Sequence, residues 1–271
     1  MSSDSSALGD RMKLYEAATR YVLPQRTYTI IRVDGRAFHS LLRRAAKPFD
    51  YEFIAAMDEV AAALCKEVTG TVLSYAQSDE ISLLVTDFGS VHTEPWFGGT
   101  VQKMASIAAS VATVEFNYRA AASHRSLVDS LPNFMATFDA RVFTIPSAVE
   151  VANYFLWRQR DCVRNSVSMA AQEHFSHKSL HGLNGGQMQE LLWSEKGINW
   201  NDYPGGAKRG RICRRVTSEE DVTYIHKRTG EEITTPAIRS RWVSDAAPHF
   251  TAEPGAFLAG IIPPLPSLQP A

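Results

Sequence analysis

Two short acidic segments, Ile30-Ile31-Arg32-Val33-Asp34-Gly35-Arg36 and Tyr75-Ala76-Gln77-Ser78-Asp79-Glu80-Ile81-Ser82, constrain this chain more than any other feature. Each places a carboxylate at the end of an apolar run. The β-branched and aromatic residues before Asp34, and Val72-Leu73-Ser74-Tyr75 before Asp79, read as buried strands, so both acids emerge where a core sheet meets solvent. Two such acids on neighbouring strands suit Mg²⁺, a hard cation commonly held by one or two carboxylates together with substrate phosphates. Two ions of that kind can clamp both ends of a phosphoryl transfer.

The surrounding pattern gives those segments a frame. Arg11 to Tyr21 has helical spacing and stops before Pro24. Tyr28 to Asp34 predicts the first strand, followed by Gly35 and a short helical piece with Phe38, Leu41 and Leu42. After Lys47-Pro48, the Ala-rich stretch from Tyr51 to Val68 predicts a helix. Thr71 to Ala76 and Ile81 to Thr86 predict two strands turning at Gln77-Ser78-Asp79-Glu80, a hairpin with an acidic tip. Gly99 to Ala122 supplies a second long helix, and Asn133 to Ile145 a further strand through Phe134, Ala136, Phe138, Ala140 and Val142. Strand, helix, strand, strand, helix, strand is the ferredoxin-like or palm order: an α+β fold with an antiparallel sheet and helices on one face. Residues 1–146 form this palm-like catalytic core, and residues 147–271 a helical and β-strand extension.

Within the extension, Ser147 caps a long helix from Ala148 to Phe175. On it Trp157, Asp161 and Arg164 share a face. Phe155 and Trp157 read as core and Asp161 with Arg164 as an ion pair, while Arg158, Gln159, Asn165 and Ser166 are polar residues that packing alone does not explain. A shorter helix spans Gln187 to Glu195. The glycine-rich Tyr203-Pro204-Gly205-Gly206-Ala207 then leads into Lys208-Arg209-Gly210-Arg211 and Arg214-Arg215, the one dense basic run. It reads either as a patch for RNA backbone or triphosphate, or as a charged edge strand. Arg211 to Val216, Val222 to Lys227 and Glu232 to Ile238 predict terminal strands, and Pro263 to Ala271 a mobile tail.

Composition narrows the partners. At 271 residues and 45% hydrophobic content the chain can bury the core of one large domain or of a domain with an extension. A net charge of -1 denies it a globally basic surface, so contact with nucleic acid has to come from local patches. Cys65, Cys162 and Cys213 are odd in number and far apart, against both a disulfide framework and a zinc cluster. No stretch approaches a membrane span, and the first residues show no basic and apolar leader. The expectation is a soluble, cytoplasmic protein without a membrane partner.

In a palm sheet the first strand and the central hairpin are neighbours, so Asp34 and Asp79 converge and Gly35 lets its carbonyl approach the same metal. Taken singly, Asp34-Gly35 and Asp79-Glu80 read equally well as solvated turns. Glu80 either faces away or supports the pair. Lys47, Ser78, Lys103 and Arg141 are candidates for phosphate, since cations neutralise developing phosphate charge and a hydroxyl donates to its oxygens.

Arg32-Val33-Asp34-Gly35-Arg36-Ala37-Phe38-His39, Lys47-Pro48, Gln77-Ser78-Asp79-Glu80, Phe138-Asp139-Ala140-Arg141 and Tyr154 to Asn165, in that order, resemble the tRNA-His guanylyltransferase family, in its guanylyltransferase-like branch of 3′-to-5′ polymerases. The resemblance spans about Tyr28 to Arg211. It implies a polymerase-like palm in which Asp34, Gly35 and Asp79 bind two Mg²⁺ ions and Glu80 joins Asp34 and Asp79 as an accessory catalytic acid. It also makes Lys47, Ser78, Lys103, Arg141 and Asn165 nucleotide or triphosphate contacts. The implied substrates are ATP, GTP and tRNA, and the implied assembly is a homotetramer. The implied reaction activates a tRNA 5′-monophosphate with ATP or GTP, after which the 3′-hydroxyl of an incoming nucleotide attacks the activated end.

One departure refines this. Family members that add the extra guanosine to tRNA-His carry His-Ile-Asn-Asn where this chain has Val163-Arg164-Asn165-Ser166. The substitution favours the branch associated with templated repair of 5′-truncated tRNA, in which base pairing selects the nucleotide. The alternatives are addition of the -1 guanosine, a palm-fold nucleotide cyclase acting on free nucleotides, and a catalytically silent tRNA-binding module.

Overall fold

The computed structural model describes residues 7–123, 135–251 and 256–266. Helices α1 (Ala7–Ala17), α2 (Phe38–Leu41), α3 (Tyr51–Glu67) and α4 (Val101–Ser123) alternate with strands β1 (Tyr28–Gly35), β2 (Thr71–Gln77), β3 (Glu80–Val85) and β4 (Phe138–Ile145). With β5 (Arg211–Ile225) and β6 (Glu232–Ala246) these strands form one antiparallel sheet in the order β4-β1-β3-β2-β5-β6. The first four places are the expected palm order, and the extension continues the same sheet.

Period-two geometry sends alternate side chains of each strand to opposite faces. Ile31 and Val33 of β1, Ile81 and Leu83 of β3 and Phe138 of β4 pack against α3 and α4. Tyr28, Ile30, Leu73, Tyr75 and Leu84 fill the other face. Strands covered on both sides become nearly continuous apolar runs, and every residue of β3 is buried. Asp50 starts α3 by accepting the Phe53 amide at 2.9 Å. The helix then presents Phe53, Met57, Val60, Ala61 and Leu64 to the sheet at helical spacing.

The second face is covered by α5 (Ala148–His174), which begins as expected with Ser147 accepting the Glu150 amide at 3.3 Å. Val151 and Phe155 lie on the sheet. Further along, Val167, Ala170 and Ala171 form a satellite cluster with Trp200, with Leu180 of α6 (His177–Leu180) and with Leu192 of α7 (Gly185–Lys196). The short α8 (Gly205–Arg209) leads into β5, and α9 (Ala256–Ile261) adds Leu258 to the second face. The palm helices thus occupy one face, as expected, and the extension supplies helices to the other.

Several elements differ from the sequence pattern. The first helix sits about four residues earlier, at Ala7–Ala17. The strand expected from Asn133 begins at Phe138; Phe134 lies outside the described residues. Ala136 is kept out of the ladder because the Asn117 amide holds its backbone oxygen at 2.8 Å and its N–H at 2.9 Å. The three short terminal strands are two long ones, paired without interruption from Arg211↔Ala246 to Ile225↔Glu232. Cross-strand hydrogen bonds carry this ribbon through the polar stretch Thr217 to Asp221, which has no apolar face to announce it. Trp157, expected in the core, is exposed. At about 100° per residue it points some 200° away from buried Phe155. The expected tail begins anchored, since the Tyr28 hydroxyl donates to the Pro263 carbonyl at 2.6 Å, while residues 267–271 lie outside the described residues. Cys65, Cys162 and Cys213 are all free and buried.

Candidate active site

Asp79 occupies a two-residue turn with Ser78, whose φ of 46 places a non-glycine residue in the left-handed region. The Gly35 amide donates to the Asp79 carbonyl at 3.1 Å, latching this turn to the end of β1. Asp34 therefore stands beside it. Asp34 faces Glu80 across β3 and Asp139 across β4 in the sheet register. Gly35 has a local necessity of its own: a Cβ there would run into the Phe38 ring.

Electrostatics mark the pair. Partial burial pushes the Asp34 carboxyl above its ordinary range; Arg32 and Arg158 oppose this and Asp139 adds to it. Burial also raises Asp79; its hydrogen bond from Ser78 and the nearby His39 pull it back, and Asp34 pushes it further. Both acids are costly to ionise without a counter-charge. Their donors are carboxylate oxygens, and among the described residues there is no cluster of three or more His, Cys, Asp or Glu suited to a metal. An oxygen-only set of this kind fits a hard divalent cation rather than zinc.

Beside the hairpin tip lies a small cleft of about 70 Å³ that opens to solvent. Lys47, Ser78 and Asn165 all line it, on a mainly apolar floor of Leu42, Phe49, Phe53, Ile54 and Met169. The structure therefore brings three of the expected nucleotide contacts together: one from the loop after α2, one from the hairpin and one from α5. Lys47 donates to the Leu42 carbonyl at 3.2 Å. Arg141 is exposed on β4, in register with Arg32 and on the same face as Asp34, two residues inward along the strand from Asp139.

Lys103 does not join this group within the chain. It occupies the first turn of α4, where its ammonium lies 5.9 Å over the Phe97 ring. The part of α4 that reaches the site is Thr113 and Asn117, which bind the backbone of Phe138 and Ala136. Ten residues of helix separate Lys103 from Thr113, about 15 Å. Glu80 is not free beside the other acids. It is 8% exposed and its carboxylate is engaged by Arg158, Nε to Oε1 at 2.7 Å and Nη2 to Oε2 at 2.8 Å. Burial raises its pKa while Arg158 and Arg32 hold it down.

Two further residues shape the site, Arg211 from the basic run that the sequence pattern singled out and Arg158, whose role had no clear sequence signal. Arg211, on the wall of the cleft, pairs through Nε with Asp58 Oδ1 of α3 at 2.7 Å, across 153 residues of chain. Arg158 stood out only as a polar residue on a helix that also faces the core.

The sequence pattern of tRNAHis guanylyltransferase matches residues 9–146. An uncharacterized protein of Acanthamoeba polyphaga mimivirus is 31% identical over 235 residues, 79% of this chain and 79% of its own. Among solved structures, a bacterial tRNA(His) guanylyltransferase-like protein in complex with ATP superposes with a TM-score of 0.78 and 39% identity, covering 94% of this chain and 99% of the other. The bacterial tRNA(His) guanylyltransferase-like protein in complex with GTP gives a TM-score of 0.69 and 35% identity, over 92% of this chain and 96% of that one. Both acidic segments lie inside the matched residues and the sheet that carries them is shared with these structures: the chain belongs to the tRNAHis guanylyltransferase family.

Proposed function

We propose that this chain is a Mg²⁺-dependent nucleotidyltransferase that extends the 5′ end of tRNA in the 3′-to-5′ direction, repairing 5′-truncated tRNA against a template. The observation that carries this reading is the convergence of Asp34, Gly35 and Asp79 beside a cleft lined by Lys47, Ser78 and Asn165. A relative of the same fold was solved with ATP. Asp34, Asp79 and the Gly35 carbonyl would hold the metal, which when bound neutralises phosphoryl oxygens and activates an attacking hydroxyl. The chain's own work is positioning. Lys47 and Ser78 hold the triphosphate of the activating ATP or GTP, Asn165 orients that nucleotide from α5, and Arg141 meets phosphate from the β4 side.

In the first step the tRNA 5′-phosphate oxygen attacks the α-phosphorus of ATP or GTP and expels pyrophosphate. In the second the 3′-hydroxyl of the incoming nucleotide attacks the activated 5′-phosphorus and expels the nucleoside monophosphate. Templating is supported by the turn that departs from the family. Ser166 spends its hydroxyl on the Val163 carbonyl at 2.8 Å and the Lys208 carbonyl at 3.2 Å, so it has no donor left for base readout. The same family reading assigns catalysis to residues 1–146 and RNA holding to residues 147–271, and expects a cytoplasmic homotetramer. No helix among the described residues is long and apolar enough to cross a membrane.

The test is incubation with 5′-truncated tRNAs, ATP and each labelled nucleotide. Expected is Mg²⁺-dependent incorporation of the nucleotide complementary to the facing base. Guanosine added opposite any base would replace repair with -1 guanosine addition. A cyclic nucleotide formed from ATP or GTP without RNA would point to a cyclase. RNA binding without incorporation would leave a silent module.

A further inference from the structure

We propose that Arg158 is a positioning residue that clamps the Asp79 hairpin to α5 through Glu80, so that Glu80 anchors the site instead of taking part in its chemistry. The inference rests on the nucleotidyl-transfer reading of the Asp34 and Asp79 site and deepens it.

Glu80 directly follows Asp79 and opens β3. Its Oε1 receives Arg158 Nε at 2.7 Å and the Ser82 hydroxyl at 3.4 Å. Its Oε2 receives Arg158 Nη2 at 2.8 Å and faces Arg32 Nε at 3.9 Å. A carboxylate gripped in a two-pronged guanidinium fork and neutralised there has little left to offer a cation. Among the described residues, Asp34 and Asp79 by contrast sit in no such fork. Arg158 is itself held on other sides: Nη2 also reaches Asp161 at 3.0 Å, and the guanidinium carbon lies 4.4 Å from the centre of the Trp157 ring. With Arg158 only 6% exposed, this is a buried pair between two elements far apart in sequence.

Its mechanical consequence follows from what flanks the turn. On one side the Asp79 carbonyl is tied to the Gly35 amide. On the other, the next residue is tied to α5. That helix also carries Asn165 to the cleft, two turns beyond Arg158. The clamp thereby fixes the spacing between the nucleotide-contacting face of α5 and the acids of the sheet. Side chains that act as one unit give non-additive losses when removed together.

The experiment uses the full chain with Arg158→Met, Glu80→Met, the double substitution and Arg158→Lys. Backbone amide exchange is measured first, in protein free of RNA and nucleotide. Expected for Arg158→Met is exchange at least roughly tenfold faster in peptides covering 30–37 and 76–84, with peptides covering 104–118 within about twofold of the parent, because loss of one partner strands a buried charge. Unchanged exchange at the hairpin overturns the clamp, whether or not RNA is extended. Faster exchange with no RNA extension by the parent overturns the RNA reading and leaves the clamp standing. In the addition assay, each Met variant should lower kcat by roughly 10- to 100-fold with KM for ATP within about threefold, and the double should be no slower than the slower single. Losses that multiply, or a Glu80→Met loss far exceeding that of Arg158→Met, give Glu80 an independent chemical role and overturn the proposal. Arg158→Lys, which keeps the charge but not the fork, should recover part of kcat. If Arg158→Met does not fold, Arg158→Lys carries the same comparison with a smaller expected loss.

Discussion

Gly35 closes β1 with the Phe38 ring packed where a Cβ would stand, and Phe38 in turn meets Phe53, Phe116 and Phe138. Gly35→Ala must displace that ring, an overpacking cost of about 1–3 kcal/mol, measurable as a lower urea midpoint. Asp34→Ala and Asp79→Ala are expected to abolish nucleotide addition while leaving the far-ultraviolet circular dichroism spectrum unchanged. Retained turnover in the double variant would sink the metal assignment. The pKa directions add a stability test. A carboxyl whose folded pKa lies above its unfolded value binds protons more tightly in the folded state, so it costs stability above the folded pKa, and the cost vanishes below the ordinary value of 3.8. Asp79→Asn should therefore raise the urea midpoint of metal-free protein at pH 7 and lose that advantage below pH 3.8. Mg²⁺ should stabilise the parent more than the variant. The positions of Asp34 and Asp79 were legible because local pattern alone puts one at the end of a strand and the other in the turn that follows one. Arg158 as the partner of Glu80 was not, because 78 residues separate the two.

At the scale of elements, helix α5 and the β5-β6 ribbon show what periodicity can and cannot carry. The 3.6-residue period explains Val151 and Phe155 on the sheet, yet the aromatic pair Phe155 and Trp157 is split between core and solvent because two positions on a helix face different ways. In the ribbon, period two is hidden: residues 217–221 are Thr, Ser, Glu, Glu and Asp, and only pairing with residues 236–240 makes them a strand. Strand β5 is fastened to the palm by Arg211 and Asp58. Breaking a buried pair from one side costs roughly 3–5 kcal/mol, and less where a partner is part exposed, as Asp58 is. Arg211→Met is expected to cost about 2 kcal/mol in urea unfolding, with part of it restored by adding Asp58→Leu. An unchanged midpoint in Arg211→Met would show that β2 alone holds β5.

Over the whole molecule, the palm and the extension share one sheet. Removing the extension would strip β5 from the edge of β2 and α5 from Tyr28, Ile30, Leu73 and Leu84. An uncovered edge beside an exposed apolar face is an aggregation site. A fragment of residues 1–146 is therefore expected to be aggregated on size-exclusion chromatography, whereas a soluble monomer with the parent's sheet signal would contradict this. The sequence by itself determined the palm order, the strand end that carries Asp34, the hairpin tip that carries Asp79 and the capped start of α5, because each depends on neighbours within a few residues. Only the tertiary structure decided that Lys47, Ser78 and Asn165 share a cleft that Lys103 does not reach, that Glu80 is held by Arg158, and that the extension completes the palm's sheet and covers its second face. Those outcomes depend on which distant residues fill one another's hydrogen bonds and bury one another's surface, and spacing along the chain carries no record of either.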